Sequence, residues 1–463
     1  MAQREGRVVV IGASMAGLVA ARALADVAGE VVILDRDELP DAPETRKGVP
    51  QGRHAHALLR AGELILDQLF PLLGDELVAQ GALRRWWLAD AMCWQFDGYR
   101  SRQGTFDYEV IFLTRPLLEN TVRRRVAGLS NVQIRSGVRV RGLTVRDGTV
   151  SGVAVDGGTT SATLEADLVV DAGGRASQAT TWLEGLGRKA PPVDHVRIDM
   201  GYASRLLRRD PGQLPERTWV CSLGTPPGSK RLGVLFPVED GRWLVTLAGF
   251  FGDHAPTDDA GYLAFAQTLP SPEIASVLRL AEPVSPIVTH RLPSEQWRHF
   301  ERIRRPPAGF VAMGDGVCSF NPIYGQGMSS AARQAIALRR EVERHGLASR
   351  ALPRRFQQRA ARIVSVPWQI AAGGDFFYAE TTGPRPPLVH RLNGYVRKAV
   401  IAAQHDPVVA SALMRVQNLL APPPSLIRPD LVRRIRRGAR VAPRVPALVG
   451  TSASPSSPIS RRP

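Results

Sequence analysis

The sequence predicts an α/β fold in which a Rossmann-like parallel sheet is interrupted by a second, largely antiparallel sheet and followed by helices. Three observations predict it. The chain opens as strand, glycine turn, helix and strand; a stretch without strand–helix alternation follows from about 191 to 300; and a buried-strand pattern returns at Phe310 to Met313, ahead of a glycine-rich loop and a helix.

The opening βαβ unit reads as a strand at Arg7 to Ile11, a turn at Gly12 to Gly17, an alanine- and leucine-rich helix at Leu18 to Val27 and a strand at Glu30 to Leu34. From Val132 to Gly174 short alternating runs with turns at Asp147-Gly148 and Asp156-Gly157 form a meander that ends in the core strand DLVVD. In KRLGVLFPVEDGRWLVTLAGFFG the Glu239-Asp240-Gly241 turn joins two strands of the second sheet. The helix after the late glycine loop starts near Ser329, the chain beyond Arg350 reads as helical, Pro422 to Pro424 mark a break, and Thr451 to Pro463 has a disordered composition. The expected division is 1–190 for the first part of the parallel-sheet domain (80–113 contributing to the substrate domain), 191–300 for the second sheet, 301–350 for the rest of the first domain, 351–440 for helices and 441–463 for a disordered tail.

At 463 residues and 44% hydrophobic content the chain has a large core, which excludes disorder and mini-protein scaffolds. Charge or glycine breaks every apolar run before the roughly 18 residues a spanning helix needs. The N-terminal residues read as strand and loop rather than signal peptide. Net charge is +17, carried almost wholly by arginine, with Lys47, Lys189, Lys230 and Lys398 as the four lysines. Nine arginines against one aspartate lie between Arg428 and Pro463, so much of the excess is a tail property. RNA-reading aromatics are missing, and no nucleic-acid partner is expected. The segment LIRPDLVRRIRRGAR could form a basic amphipathic helix, giving at most peripheral membrane contact. Cys93, Cys221 and Cys318 are far apart and show neither metal nor redox spacing, which fits a reducing cytoplasm.

The chemistry concentrates in a few segments. Gly12, Ser14, Met15, Ala16 and Gly17 sit where a dinucleotide fingerprint belongs, after a strand and at a helix start. Gly12 permits the turn, Gly17 lets helix and strand approach, and the helix N-terminus offers N–H groups to a pyrophosphate. Asp35, followed by Arg36, closes the next strand and can accept from ribose hydroxyls. Ser14 replaces the usual middle glycine. A second loop runs GDGVCSFNPIYGQGMS from Gly314 to Ser329.

This second stretch resembles the GD-loop-Pro-x-x-Gly-x-Gly signature of class A flavin monooxygenases. The resemblance implies that Asp315 binds the ribityl chain of FAD, while Pro322, Gly325, Gln326, Gly327 and Met328 lie along its isoalloxazine. Arg46 to His56 (RKGVPQGRHAH) is similar to the loop after the second strand in squalene-epoxidase-like bacterial flavoproteins, polyether-pathway epoxidases among them. Arg53, with His54 and His56, would then face the cofactor or the approaching nicotinamide. In Thr114 to Glu119, Arg115 resembles the family's arginine that reaches flavin or its diphosphate. Asp171 to Ser177 occupies the position of the family's DG motif but departs from its aromatic-hydroxylase form. The implied fold is a Rossmann-like FAD-binding domain of glutathione-reductase type, with an inserted mixed/antiparallel β-sheet substrate domain and C-terminal helices.

The implied activity is FAD-dependent monooxygenation, with NADPH or NADH as electron donor or a separate flavin reductase in support. One oxygen atom of O2, activated at the flavin C4a position, would pass to an apolar secondary-metabolite, isoprenoid or polyketide substrate. The middle region should carry the pocket, with Trp86, Trp87, Trp94, Phe96, Phe236, Trp243, Phe250 and Phe251 as core or wall. Epoxidation of an alkene needs no base, whereas phenol hydroxylation benefits from one, and no base and no metal ligand set can be named. Aromatic hydroxylation and then prenyl reduction are the alternatives on this scaffold, and the non-enzyme alternative is a binder of anionic membranes or nucleic acid through the basic tail. A halogenase would be expected to show Trp-x-Trp-x-x-Ile and a reactive lysine.

Overall fold

A computed structural model describes residues 5–157 and 160–445 of the chain. Its first sheet is wholly parallel, in the order Phe310–Ala312, Leu168–Asp171, Arg7–Ile11, Glu30–Leu34, Val132–Arg135. Val8, Val9 and Val10 are all fully buried, as a strand covered on both faces requires. Helix Met15–Ala25 begins three residues before the expected Leu18, because Gly12 (φ +101°) and the extended Ser14 (φ −91°, ψ −178°) turn the chain at once. That helix packs with Arg115–Ala127 and Gly327–His345 over one face of the sheet.

On the other face lies the antiparallel meander Arg139–Arg146, Thr149–Gly157, Thr160–Glu165. Its first turn uses Asp147 and Gly148, both at positive φ. The second turn does not fall at Asp156-Gly157, since the strand continues through Gly157; the connection to Thr160 lies outside the described residues.

The second sheet has seven strands in the order Cys318–Ser319, Val288–Arg298, Val193–Arg208, Arg242–Phe250, Arg231–Val238, Trp219–Leu223, Ala91–Trp94. Asp240 and Gly241 at positive φ close the hairpin between Arg231–Val238 and Arg242–Phe250. The edge strand Ala91–Trp94 comes from far upstream and pairs in parallel with Trp219–Leu223. Across this sheet Cys93, Cys221, Val234, Thr246 and Ser204 stand directly opposite one another, one to a strand. Residues so paired project to a common face. The opposite face carries Val220, Leu235, Trp243 and Val245 beneath helices Asp259–Gln267 and Glu273–Leu280.

Four longer helices complete the described chain: Leu352–Asp375, Val389–Ala402, Pro407–Gln417 and Pro429–Gly438. The last is the basic amphipathic segment, and its apolar side is already occupied. Leu431 and Ile435 are buried in a cluster with Ala399, Ala402 and Val409, while Gly438 sits against Ala402 so closely that a Cβ would come within 2.7 Å of that side chain. Val441 to Val445 has no helix or strand, and the rest of the tail read as disordered lies outside the described residues. Among the described residues no helix is long and apolar enough to cross a membrane, and no group of side chains is arranged to hold a metal.

Candidate cofactor and substrate site

Two glycine loops meet at the carboxyl end of the parallel sheet, the place where open α/β sheets bind ligands. A Cβ on Gly17 would stand 1.8 Å from the Gly12 carbonyl oxygen, and one on Gly12 2.7 Å from that of Ala172, so strand, turn and helix close only with glycine at both positions. Gly314 (φ +63°) lies against Ala16, a Cβ there coming within 2.9 Å. The second loop thus rests on the helix start formed by the first.

Ser14 does not cap that helix. Its hydroxyl donates to Glu119 Oε2 (2.8 Å) and accepts from Arg115 Nη2 (2.9 Å), which leaves the first-turn N–H groups of the helix without a side-chain acceptor. Glu119 is the hub of a buried ion network. Arg115 Nη2 lies 3.0 Å from its Oε2 and Arg46 Nε 2.9 Å from its Oε1, while Arg46 Nη1 also reaches Asp35 (3.2 Å) and Asp37 (3.0 Å). Burial works against the charge on Glu119, but Arg115 and Arg46 hold its carboxyl below the ordinary range. Two buried donors remain without acceptors, Arg46 Nη2 and Arg115 Nε. Unpartnered guanidinium N–H groups beside an uncapped helix N-terminus form the donor set an anionic diphosphate requires.

Asp35 is more occupied than its position suggested. Its Oδ2 accepts from Ala13 N (2.7 Å), its Oδ1 from Asp37 N (2.9 Å), and Arg46 spans both oxygens. It orders the loop, and Arg36 beside it is exposed. Arg53 is exposed as well, at the end of a short 3₁₀ turn, Pro50–Arg53. Within that loop the arginine brought into the site is Arg46.

Asp315 is half-buried within the electrostatic reach of Arg115 and Arg175, and among the described residues no group donates a hydrogen bond to its carboxylate. Burial raises its pKa, while the two arginines act in the opposite direction. Gly327, where a Cβ would lie 3.7 Å from Asp315 Oδ1, opens the helix Gly327–His345; Gln326 precedes it, buried with its side-chain oxygen unpartnered. Gly325 takes a left-handed conformation (φ +66°) beside Ala57 and Leu59, Met328 is half-buried and Pro322 exposed. Asp171 is fully buried and internally satisfied, accepting from Ser177 Oγ (2.5 Å) and Gly173 N (3.1 Å), so this aspartate braces its own turn.

The histidine loop is fastened to the second sheet. Ala55 N donates to Thr246 Oγ1 (2.9 Å), Thr246 and Ser204 hydroxyls are 2.6 Å apart, and Ser204 Oγ is 2.7 Å from His54 Nδ1. Every hydroxyl proton finds an acceptor when Thr246 donates to Ser204 and Ser204 to His54, which leaves the His54 proton on Nε2. Burial, reinforced by His290, His56 and Arg53, drives His54 down to about 3; burial and Arg115 bring His56 down to about 4. Both rings are neutral at physiological pH. Next to Ala55 lies an apolar cluster of Phe112, Trp219, Phe236, Tyr108 and Met414, with Cys93 and Cys221 at its side. Of the aromatics read from sequence Phe236 and Trp87 belong here, Trp87 lying 5.0 Å from Trp219 between ring centres, whereas Trp243 packs on the far face of the sheet and Phe250 in a separate cluster.

Behind the second loop a carboxyl pair went unread in the sequence. Asn321 Nδ2 donates to both oxygens of Asp375 (3.0 and 3.1 Å), its backbone N–H donates to Glu295 Oε1 (2.9 Å), and Tyr324 OH reaches Asp375 (3.4 Å). Burial, then the neighbouring Asp375, pushes Glu295 well up, and burial pushes Asp375 up to about 7 against its hydrogen bonds from Asn321 and Tyr324. Both shifts run toward the protonated form, and the two carboxyls brace the Asn321–Tyr324 turn through their bonds to Asn321 and Tyr324.

This architecture is that of the FAD-dependent monooxygenases and halogenases. The flavin-dependent brominase Bmp2 superposes with a TM-score of 0.66 at 14% identity, over 94% of this chain and 98% of that one. PqsL, a probable FAD-dependent monooxygenase from Pseudomonas aeruginosa, gives 0.60 at 16% identity, over 85% and 98%. Among sequences, Protein Rv3254 of Mycobacterium tuberculosis is 35% identical over 424 residues, 89% of each chain, and the present chain belongs to its family. Kynurenine 3-monooxygenase of Salinispora tropica is 29% identical over 353 residues, 73% of each chain. No family model matches the sequence.

Proposed function

We propose that this protein is an FAD-dependent monooxygenase of the squalene-epoxidase-like type that places one oxygen atom of O2 on an apolar substrate, with an alkene as the reacting group. The observation that carries this reading is the contact of Gly314 with Ala16, which joins the uncapped helix start and the unpartnered Asp315 in one cleft. In this assignment the N–H groups of Met15 and Ala16, with Arg46 and Arg115, hold the cofactor's diphosphate, Asp315 accepts from its ribityl hydroxyls, and Gln326, Gly327 and Met328 present backbone N–H groups to the isoalloxazine, while the Gly325 N–H closes the turn on the Pro322 carbonyl (2.9 Å). FAD, when bound, supplies electron transfer from NADPH or NADH and the activation of dioxygen.

The chain's own part is placement and the exclusion of water. Phe112, Trp219 and Phe236 pack as a buried apolar cluster beside the histidine loop, and the neutral His54 and His56 add no charge there. Apolar surroundings without an ionised base suit an alkene better than a phenol. The name kynurenine 3-monooxygenase, carried by two relatives, favours a second reading, hydroxylation of an aromatic ring. Halogenation is disfavoured, because Lys47, Lys189 and Lys398 are exposed and Lys230 pairs with Glu380 at 2.6 Å.

The test is a screen of polyenes and phenols under isotopically labelled dioxygen with NAD(P)H. One labelled oxygen in an alkene product, with matching oxygen consumption, supports epoxidation, and a labelled phenol supports the second reading. A product that gains two hydrogens without label overturns both in favour of a reductase.

A further inference from the structure

We infer that Cys93 and Cys221 form a peroxide-responsive dithiol, a modification site on the substrate sheet that closes to a disulfide and reopens under thiol reductants. The two residues lie far apart in sequence, yet strands Ala91–Trp94 and Trp219–Leu223 pair in parallel with Cys93 directly opposite Cys221. Neighbouring strands stand about 4.8 Å apart, inside the Cα separation of roughly 4.4–6.8 Å that a disulfide spans. Opposed residues share a face, which sets the two thiols side by side.

The surroundings differentiate the pair. Arg100 donates its backbone N–H to the Cys93 carbonyl (2.8 Å), and its positive charge acts on the Cys93 thiol. The neighbouring Cys221, against burial and aided by Arg100, pulls Cys93 down, while the same neighbour and burial push Cys221 up. The arginine beside Cys93 favours it as the attacking thiolate, with Cys221 as the protonated partner. Cys93 is 3% exposed and Cys221 half-buried, so Cys221 lies on the solvent side of the pair.

The oxidant is hydrogen peroxide. Cys93 Sγ⁻ attacks one peroxide oxygen, the O–O bond breaks, and the departing hydroxide takes the Cys221 proton to become water. Cys221 Sγ⁻ then attacks the Cys93 sulfenic sulfur, the S–O bond breaks, and hydroxide leaves to be protonated from solvent. Two thiols are oxidised and one peroxide is reduced to two waters. The pair sits in the same sheet row as Thr246 and Ser204, to which the histidine loop is bonded, and peroxide released by a reduced flavin is one source of the oxidant. Only this source of peroxide rests on the monooxygenase reading; the dithiol does not.

The experiment treats the purified holoprotein with equimolar hydrogen peroxide, alkylates it under denaturing conditions and maps the peptides by mass. The expected result is a Cys93–Cys221 cross-linked peptide lighter by two hydrogen atoms, reversed by dithiothreitol, with Cys318 still alkylated. Cys221→Ser should form no cross-link and expose Cys93 to a sulfenic-acid trap. Alkylation of both cysteines after excess peroxide, or separate oxidation of each without a cross-link, overturns the proposal. In a second arm NAD(P)H and air replace added peroxide, with and without catalase. Closure by added peroxide alone leaves the dithiol standing and counts against the oxygen-reactive flavin instead.

Discussion

Arg46 and Glu119, 73 residues apart in the chain, meet in a buried ion pair with Arg46 Nε 2.9 Å from Glu119 Oε1. One partner comes from the loop after the second strand and the other from the helix Arg115–Ala127, so the pair fastens that loop to that helix. Arg46→Met strands Glu119 with Arg115 alone and leaves Asp35 and Asp37 without their cation. Breaking a buried pair in this way costs about 3 kcal/mol. Urea denaturation should show that loss for Arg46→Met and for Glu119→Leu, and a smaller combined loss in the double variant than the sum of the two. Strict additivity would mean that the pair is not coupled.

Asp315 should behave oppositely. The residue is half-buried, and its carboxylate has no donor among the described residues and sits in surroundings that raise its pKa. Asp315→Asn removes an unsatisfied charge, so the stability of the apoprotein should hold or rise. FAD affinity should fall about tenfold or more, the loss of roughly 1.5–3 kcal/mol expected for a hydrogen bond to a charged group. Fluorescence titration of the apoprotein with FAD, beside urea denaturation, separates the two effects; unchanged affinity would remove Asp315 from the binding set.

The Glu295–Asp375 pair makes stability depend on pH with a defined sign. Both carboxyls have folded-state pKa values above their unfolded ones, so the native state binds more protons than the unfolded chain between the ordinary carboxylate range and about pH 7 for Asp375. Stability from this source is present at the acid end and falls as pH rises through that window, by up to about 1.4 kcal/mol per pH unit for each proton. Glu295→Gln keeps an acceptor for Asn321 N–H and a donor for Asp375 but cannot ionise. The wild type should lose stability relative to Glu295→Gln as pH climbs from 5 to 8, while Glu295→Ala should weaken the turn at every pH. Parallel curves for wild type and Glu295→Gln would show that the pair holds no shared proton.

The C-terminal helix offers a fourth test. With Leu431 and Ile435 in a shared core, deletion from Arg428 onward uncovers apolar surface and should lower the unfolding midpoint, whereas deletion from Pro446 should leave it unchanged. Equal midpoints for the two truncations would show that the helix Pro429–Gly438 is an appendage.

What the sequence made legible was local. Strand Arg7–Ile11, the turn at Gly12 to Gly17 and strand Glu30–Leu34 follow from hydrophobic runs and glycine positions within a few residues of each other, and they lie where those signals put them. Arg46 and Glu119 were both inside quoted motifs, but nothing local distinguishes an arginine that is buried from Arg53, which is exposed seven positions later. Their pairing is set by tertiary contact between a loop and a helix. The same holds for Cys93 and Cys221: spacing along the chain argued against a pair, and only the parallel edge strand brings them together. Asp375 carried no motif at all, since its role comes from the end of a helix meeting the Asn321 turn. The basic helix was legible as amphipathic, but not the fact that its apolar side is covered from within.

The most direct measurement is an absorbance spectrum of the purified protein with analysis of the released cofactor, followed in the same cuvette by anaerobic NADPH or NADH and then air. The account predicts oxidised-flavin bands, release of FAD, bleaching on reduction and return of the bands in air. A protein that carries no flavin, and takes up none when FAD is added, would contradict it.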